Sequence, residues 1–305
     1  MLKTKKKQFY MSDGRFNTGK WFVALCVLPA VITCMVFWLY VNVDNAIMAF
    51  QDKTGGFTLN HFKYILSDLG KGSQSEFGLA LKNTLTFFFV SYFVISTWNL
   101  IFAYFIYKKM PMYKFFRFLL YLPNMISGIV WVSAYKIIIG AEGPIMEILT
   151  SLHIIDKPLL FLNTTDTAMG ASVAYSLWLA IGGNFLWFSG ALARIPGEVL
   201  EAAELDGITP FGELVYIILP MISQTLITIY VLGVAGILSS GGSTLLLTFG
   251  EYGTMTLSFF ITKTILTGGS SNMAAALGLL MAGITIPLVY IVKFIGDKIS
   301  VMVEY

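Results

Sequence analysis

Charge is what this chain has least of. Only 12% of its 305 residues are Asp, Glu, Lys or Arg, against roughly 25% in an average soluble domain. That share cannot coat a water-facing surface, which excludes an ordinary soluble enzyme. A composition that is 56% hydrophobic, with a mean hydropathy of +0.75, equally excludes a disordered chain. Histidine is scarce as well: His61 and His153 both fall between apolar runs without helical metal-ligand spacing, so neither a zinc site nor a His-based catalytic set is supported. The two cysteines, Cys26 and Cys34, share one apolar run, which argues against a disulfide framework. Net charge is only +3 and the basic residues form no single stripe, which argues against a nucleic-acid partner.

What is abundant is long uncharged sequence. A bilayer core of roughly 30 Å needs about 20 apolar helical residues, and six runs meet that length, near 21–41, 84–107, 118–139, 167–193, 221–245 and 273–295. Charges touch them only near their ends, at Lys136 and Lys293, and Pro29, Pro123 and Pro287 lie inside them, as membrane helices tolerate. The first run is too long for a signal-peptide core and has no small-residue cleavage site, so it reads as a retained span. The expected fold is therefore all-α and polytopic, with six transmembrane helices: a basic cytoplasmic tail over 1–20, then a six-span domain over 21–305. Placing both termini in the cytoplasm gathers Lys3, Lys5, Lys6, Lys7, Arg15, Lys20, Lys108, Lys109, Lys114, Arg117, Arg194, Lys293 and Lys298 on the inner side, as the positive-inside rule requires. The basic tail reads as topogenic, with lipid or partner binding as the alternative.

One inner connection differs in kind. Residues 194–220 set a single arginine, Arg194, against Glu198, Glu201, Glu204, Asp206 and Glu213. Such a loop will not lie on an anionic membrane surface, and is expected to project into water or onto a protein. Its local signals predict two short helices around a turn. Pro196 suits a first helical position with Glu198 and Glu201 near the positive helix start, and Gly207 suits a left-handed stop. Thr209 can cap the second helix, with Pro210 at its first position. Ala202 and Ala203 leave the first helix a smooth face.

The spacing Glu201-Ala202-Ala203, Gly207, Ile217 and Leu219-Pro220 resembles the coupling signature of permease subunits in bacterial binding-protein-dependent ABC importers. Phe57–Leu66, Leu81–Leu85, Phe115–Pro123 and Ala274–Gly278 extend the resemblance along nearly the whole chain, most closely to carbohydrate-type permeases of the maltose and glycerol-phosphate first-subunit kind. The resemblance implies a type I ABC importer permease fold. It also implies that Glu201, Ala202, Ala203, Gly207, Leu219 and Pro220 couple to a cytoplasmic ATPase. The implied partners are a second permease subunit, two ATPase subunits that bind the ATP and magnesium, an extracellular solute-binding protein, and membrane lipid. The implied location is the bacterial plasma membrane. No large external domain separates the first two spans, so contact with a binding protein must use smaller loops. The chain itself is expected to need no cofactor. Gly14 to Lys20 has the glycine and lysine spacing of a phosphate-binding loop, but Trp21 stands where Ser or Thr should hold magnesium, and no strand precedes it.

No ionisable residue lies deep in a span, which removes the usual signature of proton relays and ion-coupled carriers. A neutral polyhydroxylated solute, a mono- or oligosaccharide, fits better; glycerol phosphate or a polyol is the alternative cargo, and a stand-alone channel or sensor the alternative class. By resemblance to the maltose-type subunit, Ser176, Leu179, Ala180 and Gly183 face the solute in the fourth span, where they also form one helical stripe by spacing. These small residues serve equally well for helix packing. Asn124 and Gly128 take the corresponding positions in the third span, and Gly233, Ile237 and Ser240 in the fifth. Gly233 and Ile237 depart from the polar residues of the maltose-type pattern. Ser239 to Ser243, with its glycine pair, is either a cavity wall or a helix end with a short loop. Asn163-Thr164-Thr165 is formally a glycosylation acceptor and is expected to be bare in a bacterial protein.

Overall fold

The computed structural model describes residues 15–52, 54–155, 159–267 and 270–303. Residues 1–14 of the basic tail, including Gly14 of the phosphate-loop spacing, lie outside the described residues. Arg15–Lys20 are already helical and lead into the first apolar run.

In chain order the helices are α1 (Trp21–Ala49), α2 (Asn60–Leu69), α3 (Glu76–Tyr107), α4 (Tyr113–Met125), α5 (Gly128–Ile138), α6 (Pro144–Ser151) and α7 (Ala168–Leu179). They continue as α8 (Phe185–Leu192), α9 (Gly197–Leu205), α10 (Pro210–Met221), α11 (Ser223–Ala235), α12 (Thr244–Leu247), α13 (Leu257–Leu266) and α14 (Ser271–Val303). Among the described residues there is no β-strand, only an isolated bridge between Gln51 and Phe57. Helices satisfy their interior backbone groups locally, which a hydrocarbon environment demands.

Single helices long and apolar enough to cross a bilayer are Trp21–Ala49, Glu76–Tyr107 and Ser271–Ile299. The other expected spans are broken. Residues 118–139 do not form one helix: α4 and α5 meet at 104° across Ile126-Ser127, where the backbone turns extended before Gly128. Residues 167–193 split into α7 and α8 at Ala180–Asn184, a stretch containing the pair Gly182-Gly183, and the run 221–245 breaks after Ser223–Ala235 into a short 3₁₀ turn and the start of α12. α10 and α11 form a second bent pair at 73°. The connection 246–272 is no simple loop, since it contains the apolar helix α13.

Three apolar clusters hold these pieces. The first joins Leu100 and Tyr104 of α3, Leu120 of α4, Phe185 and Phe188 of α8, Leu200 of α9, Ile218 of α10 and Ile229 of α11. A second packs α1, α2 and the start of α3 against α13 and α14 through Ala49, Ile65, Phe77, Leu257 and Leu277. The third joins Val132 and Tyr135 of α5, Tyr175 of α7 and Leu247 of α12. Within lipid these contacts stabilise through close packing and hydrogen bonding rather than water exclusion. Several buried polar side chains accordingly find partners. Asn83 donates to the carbonyls of Gly253 and Met255 at 2.7 and 2.8 Å, and the Leu257 N–H donates to Thr84 at 2.9 Å, which pins the segment before α13 onto α3. By contrast α1 is unburied along its apolar window, a face left for lipid or another chain.

Candidate functional site

The wedge at 194–220 folds as two helices around a turn. Pro196 is extended, at ψ 133°, and precedes the helix rather than opening it, so α9 starts at Gly197. Its end is a left-handed Schellman turn: Gly207 has φ +71°, its N–H donates to the Glu204 carbonyl at 3.1 Å, and the Ile208 N–H donates to the Ala203 carbonyl at 3.2 Å. Thr209 Oγ1 accepts from the Gly212 N–H at 3.2 Å and Pro210 opens α10, as the local signals predict.

The two faces of α9 then have different work. Leu200 and Ala203 are buried, with Leu200 in the cluster that contains α3, α8 and α11. Glu198, Glu201, Ala202 and Leu205 recur at the spacing of one helical face and are all exposed, Leu205 at 89%. Phe211 adds a second exposed apolar side chain across the turn. Leu219 and Pro220 are half-buried and line a cavity of about 460 Å³ together with Val292, Ile295 and Gly296 of α14.

Glu213 departs from the expectation that the acids of this segment face water or a partner. It is only 5% exposed, and its Oε2 accepts from Lys108 Nζ at 2.9 Å and from the Tyr104 hydroxyl at 3.4 Å. This ion pair ties the start of α10 to the end of α3. Neither partner stands out in the sequence, because they lie in different connections.

The solute-path candidates fall into groups. The stripe of Ser176, Leu179, Ala180 and Gly183 is not continuous helix, because α7 ends at Leu179 and Gly183 lies in the turn beyond. The broken backbone there is held by asparagines. Asn99, fully buried on α3, donates to the Ala180 carbonyl at 3.1 Å, and Asn124 donates to the Gly182 carbonyl at 3.3 Å. Asn184 reaches Ser96 Oγ at 3.4 Å. A Cβ at Gly182 would stand 2.0 Å from the Leu120 carbonyl oxygen, so only glycine allows α4 this close. Asn124, Ala180 and Gly183 therefore meet around one break, while Gly128 is exposed at the start of α5.

Ser176 lies 3.4 Å from Ser243, which joins the fourth run to the Ser239–Ser243 stretch. Ile237 opens a short 3₁₀ turn that ends at the extended Ser240, both half-buried. Gly233 is different: it is buried, and a Cβ there would fall 1.8 Å from the Tyr92 ring, so its place is helix packing against α3 rather than an open wall. Asn99, Asn184 and Tyr92 are the participants missed in the sequence, while Ser243 closes the stretch already singled out there. The pair Gly182-Gly183 was the available signal for the break, the same signal that marks Gly241-Gly242.

No protein-family profile matches the chain. It is 28% identical over 213 residues to the arabinooligosaccharides transport system permease protein AraP of Bacillus subtilis, covering 69% of this chain and 66% of that one. It is 25% identical over 242 residues to the lactose transport system permease protein LacF of Rhizobium radiobacter, covering 78% and 80%. Its fold matches a chain in the crystal structure of a bacterial alginate ABC transporter in complex with an alginate pentasaccharide-bound periplasmic protein. There the TM-score is 0.83 at 22% identity, over 94% of this chain and 97% of the other. The chain is thus similar in sequence to sugar transport permease proteins and shares the fold of a chain of the alginate ABC importer. Those relatives are permease components of transport systems. Among the described residues the chain has no group of three His, Cys, Asp or Glu placed to hold a metal.

Proposed function

We propose that this permease is the membrane-spanning subunit of an ATP-driven importer for a mono- or oligosaccharide, crossing the bacterial plasma membrane six times with both termini in the cytoplasm. It pairs with a second permease and two ATPase subunits, which bind the ATP and magnesium, and an extracellular solute-binding protein delivers the sugar. The wedge at 194–220 seats on an ATPase subunit through the exposed Glu201, Ala202 and Gly207, and the buried Ala203 with Leu219 and Pro220 carries its movement into the packed helices. Closure of the ATPases pulls the wedge and opens the path outward; hydrolysis returns it inward.

The observation that supports this reading is the construction of the wedge. An outward face of acids and apolar side chains sits on a rigid left-handed turn, while the inward side chains are part of the same core as α3, α8 and α11. A force on the exposed face is thus delivered to packed helices, which shift as units. Near the broken backbone at 180–184 the permease has the exposed Asn124 and Trp178 and the half-buried Ser176, groups of the kind that a saccharide's hydroxyls and C–H faces require.

The test is reconstitution in proteoliposomes with the ATPase subunits and the binding protein. ATP-dependent uptake of a saccharide, lost when either partner is left out, is the expected result. Solute movement by the permease alone, without an ATPase, would instead mark a channel and refute the importer reading.

A further inference from the structure

Lys136 reads from sequence as a charge at the edge of a straight span. The 104° break between α4 and α5 removes that explanation, because Lys136 sits on the short helix α5, which packs against α7 and α12. Its Nζ donates to the Leu246 carbonyl of α12 at 2.8 Å. An ammonium has three donors, and this bond uses one.

The lysine also lines a cavity of about 220 Å³ with Gly140, Phe161 and Asn163, the rest of the wall being aliphatic and free of carboxylates. A cation, an amide and an aromatic face around a small cavity form an amphipathic site with a net positive charge. The site adjoins the candidate path. Ser243, one turn before Leu246, lies 3.4 Å from Ser176.

Resting on the importer reading above, we propose that Lys136 and Asn163 form an outer subsite for a carboxylate-bearing sugar unit, so that the cargo is an acidic oligosaccharide of the uronide class. The ammonium meets the carboxylate, the Asn163 amide a ring hydroxyl, and Phe161 with its aliphatic neighbours the C–H face. A single lysine suits a monoanion; a doubly charged phosphate calls for more than one cation. On this proposal the cargo is charged, in contrast to the neutral solute expected from the charge-poor spans.

The experiment uses the assembled transporter in proteoliposomes, offered an oligouronide and the matching neutral oligosaccharide in competition. Wild type is expected to prefer the oligouronide. Lys136→Gln, which keeps a donor and drops the charge, should shift the acidic-to-neutral uptake ratio by roughly tenfold, the effect of one charged hydrogen bond. Lys136→Arg should restore most of the ratio. Equal loss of both sugars in Lys136→Gln would assign the lysine to holding the Leu246 carbonyl, and would overturn the subsite. So would an unchanged ratio, or inhibition by inorganic phosphate stronger than by free uronate. In each of these cases ATP-driven uptake persists in the wild type and the importer reading stands. Absence of ATP-driven uptake of either sugar would remove both.

Discussion

The ion pair between Lys108 and Glu213 gives a prediction whose asymmetry can be worked out in advance. The Glu213 side chain is 7% exposed and that of Lys108 35%. Glu213 Oε1 has no hydrogen-bond partner, so the carboxylate depends on Oε2 and its two donors. Removing one member of a fully buried pair costs about 3–5 kcal/mol, because the other is left charged and unsolvated. Lys108→Met leaves that charge on the more buried partner and should cost about 2–4 kcal/mol once the partial exposure of the lysine is discounted. Glu213→Gln leaves a lysine that can turn to water, and about 1 kcal/mol is expected. The double variant Lys108→Met with Glu213→Gln should recover much of the single loss, since no buried charge remains. Thermal stability of the detergent-solubilised complex, read as the temperature at which half the monodisperse protein is lost, ranks the variants. Glu213→Gln falling below Lys108→Met, or losses that simply add in the double variant, would refute the argument.

At Gly207 the left-handed φ costs about 1–2 kcal/mol for an ordinary residue, yet the space around it is open. Gly207→Asn should therefore keep ATP-coupled uptake close to wild type, while Gly207→Val raises the ATP hydrolysed per solute imported; equal behaviour of the two would contradict a backbone role. Gly233→Ala should destabilise by about 1–3 kcal/mol through the Tyr92 ring, as overpacked cores do, and Tyr92→Leu should rescue it in the same melting assay. Failure of that rescue would return Gly233 to the solute path. Asn99→Leu strands the Ala180 carbonyl and should cost about 1–3 kcal/mol, visible as a lower melting temperature.

Legibility in the sequence followed the range of the interactions. The all-helical membrane character came from composition, and the wedge turn from local chemistry, because Gly207, Thr209 and Pro210 act within a few residues of themselves. Spans read from hydropathy alone were too straight: no charge interrupts Ile126-Ser127 or Ala180–Asn184, so an averaged hydropathy passes over the backbone turn there. What stabilises those turns comes from far along the chain, as Asn99 does for Ala180, 81 residues away. The same holds for Glu213, whose partner Lys108 belongs to another connection, and for Gly233, whose neighbour Tyr92 lies on α3. Of the path candidates, Asn124, Ala180 and Gly183 converge, and Ser176 finds Ser243; Gly233 turns to packing.

The account rests on the outer face of α9 being covered by an ATPase subunit. With Cys26 and Cys34 replaced by serine, a single Leu205→Cys places a thiol on that face, and Phe57→Cys, on an exposed side chain far from the wedge, serves as control. The rate of maleimide labelling is measured for the permease alone and for its complex with the ATPase subunits before the binding protein is added, the same complex then being shown to sustain ATP-driven uptake with it. Protection of position 205 in the complex, with position 57 labelling at the same rate in both, is the predicted result; position 205 labelling equally fast in an active complex would contradict the central claim.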